Sequence, residues 1–375
     1  MVDNKKILIV VNNLNIGGTI SSLYNLLFAI DTNRISVDVF SRNIDGSFEW
    51  KLPNCRLLPE NIWLSHTIHP KGLITKLVSR FLLCVRKFFQ LFGIDLFNIY
   101  NLIGGIQCHT NEYDAVIGFD ESLAKYIRSL PAQKRIIWIH CDYRRYANGK
   151  NESKYYNSID KIVCVSNYAK DIFCDYYPMF TNKTIAIHNV INVSNLYDKS
   201  RIPNDDSRFK NDFFTIISCG RFDSVKQFHL IPSIVSEIKN ITHRPFCWYI
   251  IGGGNTIIAK HIQDEIEQYG VSDYVKLLGL ASNPYNYMVG SDLYVCTSFS
   301  ESYPMVVNEA KALGIPIVCN AFPSASESVK HEVDGYIIEI KEMPRVIASM
   351  IEKPKKFSIS SPDNNLILDQ FYSLF

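Results

Sequence analysis

Two glutamates eight residues apart, Glu301 and Glu309, stand in TSFSESYPMVVNEAKALGIPIVC, which reads as a strand end, a turn, a helix and the next strand. Pro304 suits the first helical turn, where its missing N–H costs nothing. The N–H groups of Met305 and Val306 are then free at a helix N-terminus, where phosphate oxygens bind readily. A carboxylate there can accept hydrogen bonds from vicinal sugar hydroxyls. The plainer alternative is a dipole-stabilising Glu301 and a solvated Glu309. A second constellation is FFTIISCGRFDSVKQF, in which a strand ends at Gly220 and Arg221 and Lys226 follow. Both cations can reach one anion, with charge-assisted hydrogen bonds of about 1.5–3 kcal/mol each. Fixed cations there would stabilise a diphosphate leaving group as it gathers charge in a transition state. Two surface cations on a loop are the competing reading.

Further candidates lie earlier in the chain. Gly17 and Gly18 follow the first apolar run and precede a helix near Thr19, so the backbone there can approach a phosphate or a sugar closely. A tight strand-to-helix turn explains them equally well. They are not GxGxxG, since Ile20 and Ser21 occupy the later positions. His140 ends IIWIH at the carboxyl end of an expected strand, where a neutral imidazole can hydrogen-bond a sugar hydroxyl. The polar cluster Asp142, Tyr143, Arg144 and Arg145 follows. The nine histidines form no HExxH, and no DxD-like carboxylate spacing suits a nucleotide-bound metal. The expectation is therefore no metal and no cofactor.

These side chains need elements to hold them. Strand-length apolar runs recur at 7–11, 36–40, 115–118, 136–139, 162–165 and 184–188, then at 215–218, 248–252, 275–278, 293–296, 316–319 and 336–338. Longer helical patterns alternate with them, which implies parallel sheets with crossover helices. Few runs alternate with period two, as expected where both sheet faces are covered. The polar stretch 192–212 shows no periodicity and reads as a linker. The expected architecture is α/β: two Rossmann-like domains, 1–195 and 196–375, with the final helix returning to the N-terminal domain. Ligands in such sheets bind beyond the strands' carboxyl ends, so the site is expected in a cleft between facing domains.

Composition narrows the classes. At 375 residues, two domains of ordinary size are the natural expectation. A net charge of +2 argues against general nucleic-acid binding. The ten cysteines include no CxxC and sit mostly in apolar runs, which fits reduced thiols in a reducing compartment. The first apolar run turns polar too soon for a signal peptide, and no stretch reaches the roughly 18 apolar residues of a spanning helix. Residues 71–92 carry Lys71, Lys76, Arg80, Arg86 and Lys87 with no acid, interleaved with Phe81, Phe88, Phe89 and Phe92. This basic amphipathic pattern fits either a membrane interface or a helix packed on the N-terminal sheet.

The two C-terminal constellations together resemble glycosyltransferase family 4, retaining enzymes of GT-B architecture. The family's Glu-x7-Glu is matched by Glu301 and Glu309, and its Gly-Arg followed by Lys is matched by Gly220, Arg221 and Lys226. The order of Gly17-Gly18, His140, Ser166, HNVIN, the Gly252–Gly253–Gly254 turn, LLG and ASESVKHEVDGYII agrees too. The resemblance implies Arg221 and Lys226 on the donor diphosphate, Glu309 on the ribose and Glu301 beside the donor sugar. Met305, Val306, Tyr303, Gly17, Gly18 and Gly253 join the expected donor site, with His140 at the reacting sugar. Two departures stand out: Ser302-Tyr303 where the family has Gly-Phe, and His140-Cys141-Asp142 where it has His-Asp. The expected activity is transfer of a sugar from a nucleoside diphosphate sugar to a glycan or lipid-linked acceptor in bacterial cell-surface polysaccharide synthesis. The expected place is the cytoplasm, with peripheral contact to the inner membrane face through 71–92. An epimerase of the same architecture and a non-catalytic partner subunit are the competing readings.

Overall fold

The computed structural model describes residues 4–15, 17–42, 51–58, 73–92, 113–128, 130, 132–210, 212–359 and 362–375. Two compact units divide the chain, Met1–Val190 with Asn365–Phe375, and Ile191–Asn364. The first holds β1 (Lys5–Val11), β2 (Ile35–Ser41), β3 (Arg56–Leu57), β4 (Ala115–Gly118), β5 (Lys134–Ile139), β6 (Lys161–Cys164) and β7 (Thr184–Ala186). They form one parallel sheet of order β3-β2-β1-β4-β5-β6-β7. The second holds β8 (Phe214–Cys219), β9 (Phe246–Ile251), β10 (Val275–Gly279), β11 (Leu293–Cys296), β12 (Ile317–Asn320) and β13 (Gly335–Ile338). Its sheet is also parallel, of order β10-β9-β8-β11-β12-β13.

Every apolar run singled out in the sequence is a strand, because helices cover both faces. Ile7, Leu8, Ile9 and Val10 in β1 are fully buried, as are Ile216 and Ile217 in β8. A half-exposed strand would have alternated. The strand order reverses between β1 and β4 in one sheet and between β8 and β11 in the other. Loops leaving adjacent strands in opposite directions open a crevice at such a point, where α/β proteins bind ligands. The loops after β1, β4 and β5 carry Gly17, Asp120 and His140, and those after β8 and β11 carry Lys226 and Glu301.

The stretch 192–212 is not the structureless linker its composition suggests. It contains the helix Val193–Ser200, capped by the Asn192 side chain, which accepts from Asn195 N–H at 3.1 Å. Leu196 is its one buried residue, too little apolar content for a readable period. Arg208 then grips Asp206 with Nε and Nη2 at 2.8 and 2.6 Å. At the other end, the helix Asn364–Tyr372 belongs mostly to the N-terminal unit: Phe371 is buried 6.1 Å from the Trp138 ring, and Lys134 Nζ donates to Leu374 O at 3.1 Å.

Candidate active site

At the C-terminal switch point, the loops after β8 and β11 are stitched together. Asp223 accepts from the N–H groups of Val225 and Lys226, both at 3.1 Å, turning the chain so that Lys226 points back over the strand ends. Thr297 Oγ1 donates to Lys226 O at 2.6 Å, and Phe299 N–H donates to Val225 O at 3.1 Å. Lys226 Nζ thereby meets Glu301 Oε1 at 2.7 Å, each side chain 17% exposed. Ser298 Oγ donates to the same oxygen at 2.9 Å, and Ser324 Oγ donates to Glu301 O at 2.6 Å. Burial opposes the charge on Lys226, but Glu301, with Cys296 and Asp223, outweighs it and raises the ammonium pKa. The Lys226 ammonium therefore keeps its charge at neutral pH.

The glycines make room for this arrangement. A Cβ on Gly252 would stand 1.8 Å from Gly220 O, so β8 and β9 could not end side by side with any other residue there. A Cβ on Gly220 would crowd Lys226 Cε at 3.0 Å. Gly253 is less constrained, its Cβ falling at ordinary contact distance, 3.5 Å, from Leu280.

The helix Met305–Ala312 starts directly after this loop, with Pro304 as its N-cap and no side chain capping its first turn. Glu309, in its second turn, is buried rather than solvated, 6% exposed. Burial pushes its carboxyl up to about 7, against the pull of the Tyr285 hydroxyl, Lys199 and Lys226. Tyr285 donates to Glu309 Oε1 at 3.3 Å, and Lys199 lies 5.8 Å over the Tyr285 ring. Lys226 thus acts electrostatically on both glutamates. Arg221 is not brought into this cluster: its side chain is 77% exposed, 3.7 Å from Asp223. Tyr303 is buried beside the helix start, where burial and the charge of Glu327 raise its hydroxyl pKa.

The N-terminal switch point is built differently. Asn12, just past β1, donates to Asp120 Oδ1 at 3.1 Å and to Ser122 Oγ at 2.7 Å, tying the β1 and β4 ends together. Gly17 and Gly18 stand at the start of the helix Gly18–Ala29, and a Cβ on either would meet no described residue within 4 Å. Among the described residues, no packing demand explains two glycines there. His140 follows β5 with its ring 4.8 Å from Phe119, and its Nε2 is buried with no partner among the described residues. Burial draws its pKa down to about 3, so the imidazole is neutral. Asp142 caps the next turn through Arg144 N–H at 3.0 Å and accepts from Tyr168 at 3.0 Å, so it serves the loop. Ser166 caps its own helix through Ala169 N–H at 3.0 Å.

Four residues escaped sequence reasoning: Ser298, Tyr285, Lys199 and Glu121, whose Oε2 accepts from His140 N–H at 3.1 Å. Ser298 lies three residues before Glu301 and was within reach of the loop signal. The others meet their partners only through the fold. Among the described residues, no group of three or more His, Cys, Asp or Glu is arranged to hold a metal ion. Nor, among them, is any helix long and apolar enough to cross a membrane. The nine described cysteines form no disulfide.

Two parallel Rossmann-like sheets, each with its loops at a switch point, define a GT-B fold. HepE of Anabaena, solved with UDP-glucose, shares it at a TM-score of 0.69 and 19% identity, with 98% of this chain and 95% of that one covered. Residues 201–358 match the family profile of glycosyl transferases group 1. An uncharacterized glycosyltransferase of Haemophilus influenzae is 24% identical over 246 residues, 64% of this chain and 66% of that protein. The lipopolysaccharide core biosynthesis glycosyltransferase LpsD of Rhizobium meliloti is 22% identical over 185 residues, 49% of this chain and 50% of that protein. The alignments thus span half to two thirds of these relatives' own lengths.

Proposed function

We propose that this chain is a retaining glycosyltransferase that moves a hexose-type sugar from a nucleoside diphosphate sugar to a hydroxyl of a glycan or lipid-linked oligosaccharide in cell-surface polysaccharide synthesis. The observation that carries the proposal is the Lys226–Glu301 pair at 2.7 Å beside the uncapped start of the helix Met305–Ala312. A cation and free amides at one switch point suit a diphosphate, and a carboxylate beside them suits sugar hydroxyls. LpsD, by its name, works in polysaccharide assembly, and HepE was solved with a nucleotide sugar, which supports the substrate class.

In this scheme Lys226, Arg221 and the N–H groups of Met305 and Val306 hold the diphosphate, and Arg221 swings in when the anion arrives. Glu309 accepts from the ribose hydroxyls, while Glu301 and the Tyr303 backbone border the donor sugar. Gly253 lets the nucleotide lie close to the β9 loop, and Gly17 and Gly18 let the backbone there lie close to a phosphate or a sugar. The neutral His140 hydrogen-bonds a donor hydroxyl. The N-terminal unit binds the acceptor. As the C1–O bond to the diphosphate breaks, the departing phosphate oxygen takes the acceptor proton and the acceptor oxygen bonds C1 on the same face. No metal is needed, since Lys226 and Arg221 neutralise the leaving group, and activity is expected to survive EDTA.

The test is transfer from a nucleoside diphosphate sugar by wild type, Arg221→Ala and Lys226→Ala. Each variant is expected to lose about 10²–10³-fold in turnover with the fold intact. Near-normal turnover in both contradicts the scheme. Inverted anomeric configuration in the product removes the retaining assignment alone. Contact with anionic membrane is proposed for 71–92, of which Lys71 and Gly72 lie outside the described residues. Lys76, Arg80 and Lys87 on the helix Leu73–Leu91 are exposed, and so are Leu77, Phe81 and Phe88, which supports it. Flotation with anionic vesicles that is undiminished after neutralising these three cations counts against that contact.

A further inference from the structure

The loop after β4 carries a carboxylate that the scheme above does not use. Glu121 lies in the turn Glu121–Leu123 at the N-terminal switch point and is buried. Its Oε2 accepts from the backbone N–H of His140 at 3.1 Å, and its carboxylate also takes the Cys141 thiol. Asp120 beside it caps the same turn through Ser122 N–H at 2.9 Å and holds Asn12, so the loops after β1, β4 and β5 form one hydrogen-bonded assembly. The Nε2 of His140 is left buried with no partner among the described residues, in a ring held by Phe119 on one side. A buried imidazole nitrogen without a partner is costly unless a ligand satisfies it. The backbone of this histidine is anchored, and its buried Nε2 is the atom left without a partner among the described residues.

We infer that Glu121 is a positioning residue for the transfer reaction, holding the His140–Cys141 backbone so that the neutral imidazole meets the donor sugar. The inference rests on the role proposed for His140. Ionised, Glu121 has acceptors for both the amide and the thiol; protonated, it loses acceptor capacity and the loop is held more loosely. Burial first, then the charge of Asp120, pushes the carboxyl up to about 7, against the hydrogen bonds from Cys141, its own backbone and His140. The other titratable groups facing it are Tyr156, whose hydroxyl lies 3.5 Å from Glu121 O, Tyr146 and Cys164. None of these is a cation at neutral pH. Turnover should therefore rise as pH increases through about 7.

The experiment measures kcat and donor KM between pH 6 and 8.5 for wild type, Glu121→Gln, Glu121→Leu, His140→Ala and the Glu121→Leu/His140→Ala double variant, with thermal unfolding as the fold check. Glu121→Leu is expected to lower kcat about 100-fold with donor KM nearly constant, the scale of a misplaced reacting group. In the His140→Ala background the same change should cost under about 3-fold, since a residue acting through another is not additive with it. Glu121→Gln keeps an acceptor for the amide, so it should stay within about 5-fold of wild type at high pH and lose the rise through 7. Equal cost of Glu121→Leu in both backgrounds, or a rise retained in Glu121→Gln, overturns the inference while leaving the proposed function in place. Full turnover in His140→Ala overturns it together with the role given to His140.

Discussion

The two switch points have the same topology and opposite electrostatics. In the C-terminal unit, Lys226 pairs with Glu301 at 2.7 Å and keeps its charge against burial. In the N-terminal unit, burial holds Glu121 up at about 7 and His140 down at about 3, so the charges are suppressed instead of paired. The difference teaches what each crevice can receive. A paired cation can exchange its carboxylate for a phosphate at little cost, because one anion replaces another. A neutral imidazole cannot hold a phosphate by charge, but it suits an uncharged hydroxyl.

After the Lys226 and Arg221 variants, the largest expected effect comes from removing the Glu301 carboxylate. Glu301→Gln should lower turnover about 100-fold, on the scale of losing one transition-state contact. Nucleoside diphosphate affinity should hold or rise in the same variant, because Lys226 loses its competing carboxylate. A parallel fall in affinity, read by calorimetry, would mean that Glu301 orients Lys226 for the anion and would break the division between sugar and phosphate roles.

A smaller effect is expected at Glu309, the one carboxylate of the C-terminal site that resembles its N-terminal counterpart in being pushed to about 7 by burial. The Tyr285 hydroxyl works against that shift, so Tyr285→Phe should raise the carboxyl further and leave more of it protonated at pH 7. Donor affinity should fall about 5-fold at pH 7, the worth of one hydrogen bond, and recover as pH rises. A loss that does not change with pH would assign Tyr285 a packing role alone.

The smallest effect concerns stability. A carboxyl whose folded pKa of about 7 exceeds its unfolded value of about 4.5 contributes stability that is complete below 4.5 and lost as pH rises through 7. His140, held near 3 against an ordinary 6.5, contributes in the opposite sense: stability present above 6.5 and lost as pH falls toward 3. Urea unfolding at pH 5 and pH 8 should therefore show a steeper decline for wild type than for Glu121→Gln. Identical slopes would mean that Glu121 titrates normally.

Legibility in the sequence followed the same contrast. Both sheets could be read because buried parallel strands leave unbroken apolar runs, such as ILIVV in β1. The Lys226–Glu301 site was legible because its parts occupy two short segments with charged residues at loop positions, where solvated alternatives are few. Glu121 was not, since a carboxylate in FDES looks like any surface turn until β4 and β5 place it under His140. The helix Val193–Ser200 was hidden by a polar composition that one Asn192 cap and one buried leucine overcome. Arg221 was read as part of a converged cluster, yet its side chain stands out in solvent beside Asp223. Loop side chains obey partners that sequence proximity does not reveal.

The central claim is that the C-terminal switch point binds a nucleoside diphosphate through Lys226, and calorimetric titration of UDP into wild type, Lys226→Ala and His140→Ala tests it most directly. Saturable binding to wild type, about 100-fold weaker in Lys226→Ala and unchanged within about 3-fold in His140→Ala, is the predicted result. Equal affinity in wild type and Lys226→Ala would contradict it.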